Sequence, residues 1–138
     1  MSPSPSARSV AFTEVTATSQ ARDHSGPTLV IGTTDPTRAT ISQLVPGATA
    51  PSGRVLVAAL QGQRNTGGYS IQIVAIERNG DQLVVHATFV VPAPGAMVTQ
   101  VLTSPAHVVS IAAADTTGLR EAILLDQTGF EVARVSTT

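Results

Sequence analysis

The chain predicts an all-β fold, an antiparallel β-sandwich or partly open barrel, and three observations carry that prediction. Valine and threonine are abundant while aromatics come to 3% and tryptophan is absent, and branched side chains favour pleated, half-buried strands. Short apolar stretches recur along the chain, separated by Gly, Pro, Asn and Asp. Long amphipathic helical patterns are missing. Regular short strands with turn residues between them are the signature of sandwiches and barrels.

In order, the pattern predicts a flexible Ser/Pro-rich segment at 1–8 ("MSPSPSAR") and a single all-β domain over 9–138. Strands are expected at 9–16, 28–33, 38–44, 54–61, 69–77, 82–91, 96–102, 107–113, 121–126 and 130–136. Pro27 and Pro36, in the turn-rich segment "DHSGPTLVIGTTDPTRA", should both lie outside central strands. Short links between 54 and 113 predict a meander of alternating strands. The link at 62–68 and the link at 92–95 then fall at one end, so "RNTGG" and "PAPG" should be neighbours.

Burial selects the register at Asn79-Gly80. A two-residue type I′ turn would place Arg78 opposite Asp81 and mix apolar and polar residues on both faces. A three-residue loop of Arg78, Asn79 and Gly80, with Gly80 at positive φ as a bulge, pairs Glu77 with Asp81 instead. Tyr69, Ile71, Ile73 and Ala75 then share a face with Leu83, Val85, Ala87 and Phe89. In this register Tyr69 lies near Phe89 in the core, with its hydroxyl free to tie down the glycine loop. Gln127, Thr128 and Gly129 form a second three-residue turn, with Ile123–Asp126 returning as Phe130–Val135. Exposed edge strands would let two copies pair through this terminal hairpin into a homo-oligomer, so deleting 119–138 should change oligomeric state or solubility.

Composition excludes several function classes. Eight arginines, with no lysine, are spread singly against nine carboxylates for a net charge of −1, which leaves neither a basic footprint nor a stacking platform for nucleic acid. No apolar run is long enough for a transmembrane helix, and without cysteine there are no disulfides or thiolate metal sites. His24, His86 and His107 share no metal-ligand spacing, so no metal or cofactor is expected. His86 reads as a hydrogen-bonded structural histidine in mid-strand, and His107, just after Pro105, as solvated in a turn. Asp23, His24 and Ser25 are adjacent, but a triad needs convergence in space, and neighbours on an extended chain point in alternate directions. "GQRNTGG" joins two strands where a phosphate cradle needs strand then helix. No catalytic residue is assigned and the chain reads as a non-enzyme.

From Arg54 to Ile111 the chain carries "RVLVAALQGQ", "NTGGYSIQI", the hairpin "IERNGDQLVVHATF", "VPAPGAMVTQVLTSP" and "AHVVSI" in order. Gly-Gly-Tyr followed by Pro-x-Pro-Gly around an apolar hairpin resembles the C-terminal domain of PrcB-type protease-complex subunits. The resemblance implies an accessory domain: the subunit that gives the family its name is a surface lipoprotein that supports a subtilisin-like protease without being the peptidase. It also implies a secreted or envelope location; the Ser/Pro-rich start reads either as the stalk left after a signal or lipid-attachment segment is removed or as a native disordered cytoplasmic terminus. This sequence departs from the pattern in showing no lipoprotein signal and in carrying the extra C-terminal hairpin.

The binding surface expected on this reading is Arg64, Asn65, Thr66, Gly67, Gly68, Tyr69, Pro92, Pro94 and Met97, a loop platform for a protein partner such as a subtilisin-like protease. A backbone role alone for Gly67 and Gly68 is the competing account. A protease inhibitor presenting loops to a peptidase cleft is the second functional class. A small-ligand or carbohydrate module ranks third, since one tyrosine and no tryptophan offer little for stacking on a sugar.

Overall fold

A computed structural model describes residues 8–22 and 26–137. In chain order the strands are β1 (Arg8–Ser9), β2 (Phe12–Thr18), β3 (Thr28–Gly32), β4 (Arg54–Leu60), β5 (Ser70–Asn79), β6 (Gln82–Val90), β7 (Ala106–Ala112), β8 (Glu121–Leu125) and β9 (Glu131–Ser136), with a helix α1 (Asp35–Leu44) between β3 and β4. They form two open sheets, ordered β1-β5-β6-β8-β9 and β2-β7-β4-β3. All neighbours are antiparallel except β6 and β8, which run parallel. This is the expected sandwich, with a helix added.

That helix overturns the strand expected at 38–44. Thr34 caps it: its hydroxyl accepts from Thr37 N–H at 3.3 Å and Thr37 Oγ1 accepts from Thr34 N–H at 3.0 Å. A cap of this kind is worth about 1 kcal/mol. Pro36 sits in the first turn, where no N–H is needed. Ile41, Leu44 and Val45 recur at i, i+3 and i+4, a helical period, and Ile41 and Val45 are buried. The threonines argued for a strand, but period and cap prevail.

The helix explains why β4 reads as an unbroken apolar run. Val55, Val57 and Ala59 face the core between the sheets, whereas Leu56, Ala58 and Leu60 pack with Ile41 and Val45 in a second core on the outer face. A strand covered on both faces loses its alternation. A Cβ on Gly32 would lie 3.1 Å from Ile41 Cδ1 and 3.2 Å from Leu56 Cβ, so glycine there allows the helix its close approach.

Other expectations need correction. The strand at 9–16 is two strands, split where the chain leaves the first sheet after Val10 N–H donates to the Ile76 carbonyl at 2.8 Å and enters the second at Phe12. Arg8, placed in the flexible segment, pairs with Arg78 in β1; residues 1–7 lie outside the described residues. No strand forms at 96–102, and the meander is absent: β4 and β5 belong to different sheets, as do β6 and β7.

At the Asn79-Gly80 hairpin, Asn79 pairs with Gln82, leaving Gly80 and Asp81 as the loop. Gly80 has the expected positive φ of 65°, but neither Glu77 nor Arg78 pairs with Asp81. The extra residue lies at the other end, at Val74, between the pairs Ile73–Ala87 and Ala75–His86. Ile71 and Ile73 keep the predicted face with Ala87 and Phe89; beyond the bulge Ile76, not Ala75, takes the buried place opposite Val85. Burial had correctly demanded one extra residue, and the glycine was the wrong place for it. The C-terminal turn is as expected: Asp126 N–H donates to the Phe130 carbonyl at 3.0 Å, and Gly129 has φ of 85°.

Candidate functional site

Two links cross between the sheets at the same end. One carries the chain from Leu60 in β4 to Ser70 in β5; the other carries it from Val90 in β6 to Ala106 in β7. Leu60 pairs with Ala106 and Ser70 with Val90, so both links start and finish beside each other. Their backbones therefore pair along the crossing. Gln61 N–H donates to the Pro105 carbonyl at 2.9 Å, Arg64 and Thr103 exchange hydrogen bonds of 2.7 and 2.9 Å, and Gly67 N–H donates to the Thr99 carbonyl at 2.9 Å. Thr103 Oγ1 donates to the Thr66 carbonyl at 2.8 Å.

"RNTGG" and "PAPG" are thus neighbours, as expected, although the meander that suggested it is absent. Gly68 has φ of 89°, and a Cβ there would lie 2.9 Å from both Pro92 Cγ and Val98 Cγ1. A Cβ on Gly67 would collide with Thr99 Oγ1. Both glycines serve close approach of the two links, and Gly68 also the left-handed backbone. Pro94 and Gly95 make a type II turn, with Ala96 N–H donating to the Ala93 carbonyl at 2.9 Å and Gly95 at φ of 79°.

The side chains of this end are largely apolar and outward. Asn65, Pro94 and Met97 are exposed, and so are Val90, Val91, Val101 and Leu102. Phe130 joins the same end, because Gln127 lies beside Phe89: its Nε2 donates to the Phe89 carbonyl at 3.0 Å and its Oε1 accepts from Phe89 N–H at 2.9 Å. The amide of Gln127 so extends the parallel β6–β8 ladder past Leu125. The sequence reading misses the roles of Thr99 and Thr103, because it expects a strand at 96–102, and it assigns Gln127 only to the C-terminal turn.

Tyr69 is not in the core as expected. It precedes β5, is half-buried, and carries the Arg64 guanidinium 5.3 Å from its ring centroid. Ile71 takes the position opposite Phe89.

His107 is also corrected: it is buried in β7, facing the other sheet. Its Nδ1 accepts from Ile73 N–H at 2.9 Å, so its proton sits on Nε2, which donates to Glu14 Oε1 at 2.8 Å. Both ring nitrogens are occupied, one by main chain, which suits a tie between sheets and not a general base. His86 pairs with Glu77 at 2.6 Å and is half-buried, the structural role expected. Asp23, His24 and Ser25 lie outside the described residues. Among the described residues no group of three or more His, Asp or Glu is placed to hold a metal ion, and no helix is long and apolar enough to cross a membrane.

Residues 55–112 match the family described as PrcB C-terminal. The matched stretch runs from β4 to the end of β7 and includes the β5–β6 hairpin and both crossing links. It leaves out β1–β3, α1, β8 and β9. No curated protein and no solved structure matches the chain.

Proposed function

From the likeness of residues 55–112 to the PrcB C-terminal domain, we propose that this chain is a non-enzymatic accessory domain that binds a protein partner, a protease of the subtilisin-like class, at the cell envelope or outside the cell. One observation carries the reading: the matched stretch contains both crossing links, tied together by backbone hydrogen bonds, and they hold apolar side chains outward. Clustered exposed apolar groups mark interaction surfaces. A loop fixed before binding loses less entropy on complex formation. Arg64, Asn65, Thr66, Tyr69, Pro92, Pro94 and Met97 form the contact surface, with Gly67 and Gly68 as its supports.

The test is binding to a subtilisin-like protease by the wild type and by Asn65→Ala with Pro94→Ala. Weaker binding at an unchanged thermal midpoint supports the platform. Equal affinity assigns the loops to architecture alone. Protease turnover measured in the same titration separates the roles: retained activity fits an accessory subunit, and loss at near-stoichiometric amounts makes the domain an inhibitor.

A further inference from the structure

β5 has one edge on β6 and another that is only partly covered. β1 pairs with Arg78 and Glu77, and Val10 continues to the Ile76 carbonyl; the chain then leaves for the second sheet. The direction of the remaining groups follows from the ladder. Phe89 directs both its N–H and its carbonyl at Gln127, on the β8 side, so it exchanges neither with its partner Ile71. Ile71 must then present its own N–H and carbonyl away from β6, at the uncovered edge. Ile73 N–H points the same way and is capped by His107. Among the described residues no backbone group takes up those of Ile71.

A groove of about 280 Å³ opens at that place, lined by Tyr69, Ser70 and Ile71 on one side and by Ala17, Thr18, Ser19, Pro105 and Ala106 on the other. The lining carries no charged side chain and is small apart from Tyr69 and Ile71. Arg64 does not line the groove but lies over the ring of Tyr69, which does, with no carboxylate within salt-bridge distance among the described residues and with its Nε buried and unpartnered.

We propose that this groove binds an extended peptide segment of a partner protein, which adds a short strand to the free edge of β5 at Tyr69–Ile71. An open edge with an outward N–H and carbonyl selects peptide backbone. The shallow, uncharged walls select small side chains, and Arg64 selects an acidic residue at the Tyr69 end. His107 sets the inner limit of pairing at Ile73. The inference rests on the interaction-domain reading and adds a second contact beside the loop platform.

A random peptide library displayed on phage is the probe, selected on the full chain and counter-selected on Ala17→Arg. Ala17 is exposed on β2, so the arginine fills the groove without entering the core. Supporting results are enriched peptides with small residues and an Asp or Glu toward one end, weakened at least tenfold by Ala17→Arg and by Arg64→Gln, with Ala17→Arg leaving the thermal midpoint unchanged. Methylating the peptide's backbone nitrogens one at a time should abolish binding at alternate positions only, the mark of strand pairing. No enrichment over the counter-selection overturns the proposal, as does binding indifferent to nitrogen methylation. Because the probe needs no protease, failure here leaves the Asn65/Pro94 test of the platform standing.

Discussion

His107→Leu removes the nitrogen that receives the Ile73 main-chain hydrogen and leaves an apolar side chain in its place. The position is 3% exposed, so water cannot readily take over the bond. Leaving a buried donor unpaired costs about 1–3 kcal/mol. The Glu14 contact adds little, since that side chain is 66% exposed and such pairs are worth at most about 1 kcal/mol. At about 4 °C per kcal/mol for a domain of this size, the thermal midpoint should fall by roughly 4–12 °C. His107→Asn is the informative partner, because its side-chain oxygen stands near the place of Nδ1 and still accepts from Ile73. Asparagine should therefore cost less than leucine despite being the more polar and smaller residue. The assay is urea and thermal denaturation of all three proteins, with nitrogen chemical shifts of the wild-type ring. A leucine variant as stable as wild type, an asparagine variant no better than leucine, or a ring protonated on Nδ1 would refute the reasoning.

Three further outcomes are expected. Gly68→Ala should cost more than Gly80→Ala: both are at positive φ, but a Cβ meets Pro92 and Val98 at 2.9 Å in the first case and nothing within 4 Å in the second. The conformational penalty common to both is about 1–2 kcal/mol, so equal losses in denaturation would mean that the crossing links yield freely. Asp126 Oδ1 accepts from the Thr128 hydroxyl and from Thr128 and Phe130 N–H, chiefly the hydroxyl bond holding its pKa below the usual carboxylate value. A depressed pKa stabilises the fold above the unfolded value and loses that contribution as pH falls through the folded one. The gap in denaturation midpoint between wild type and Asp126→Asn should thus shrink below about pH 4, and a gap constant down to pH 2 would contradict it. Deleting 119–138 removes β8, whose Ala122, Ile123 and Leu124 are buried beside β6. The product should lose cooperative unfolding and aggregate; a folded protein with a sharp transition would show the hairpin to be an appendage.

Much of the candidate site was legible because it depends on local chemistry. Gln127-Thr128-Gly129 carries the residues of a three-residue hairpin loop and forms as expected, and the expected link at 92–95 holds a Pro94-Gly95 turn. The proximity of the glycine and proline loops was also legible, though derived from a meander. Strand direction alternates whether consecutive strands pair in one sheet or face each other across a sandwich, so links two apart still share an end. His107 was not legible. Its neighbour Pro105 suggests a turn, and nothing in the sequence says that an unbonded N–H thirty-four residues away needs an acceptor.

The sequence alone determined what is local. Branched residues between turn signals gave strands, the apolar alternation fixed which face of Ile71, Ile73, Leu83 and Val85 is buried, and Gly80 marked a position of positive φ. Tertiary structure decided what those local preferences leave degenerate. β4 reads equally well as a strand of either sheet until α1 covers its outer face. β8 looks like an appendage until it enters the first sheet parallel to β6. The bulge in β5 sits at Val74 because Ile76, and not Ala75, fills the space opposite Val85 between the sheets. Each of these is settled by packing between segments far apart in the chain, where side-chain volume and unpaired backbone groups on both surfaces must be satisfied together.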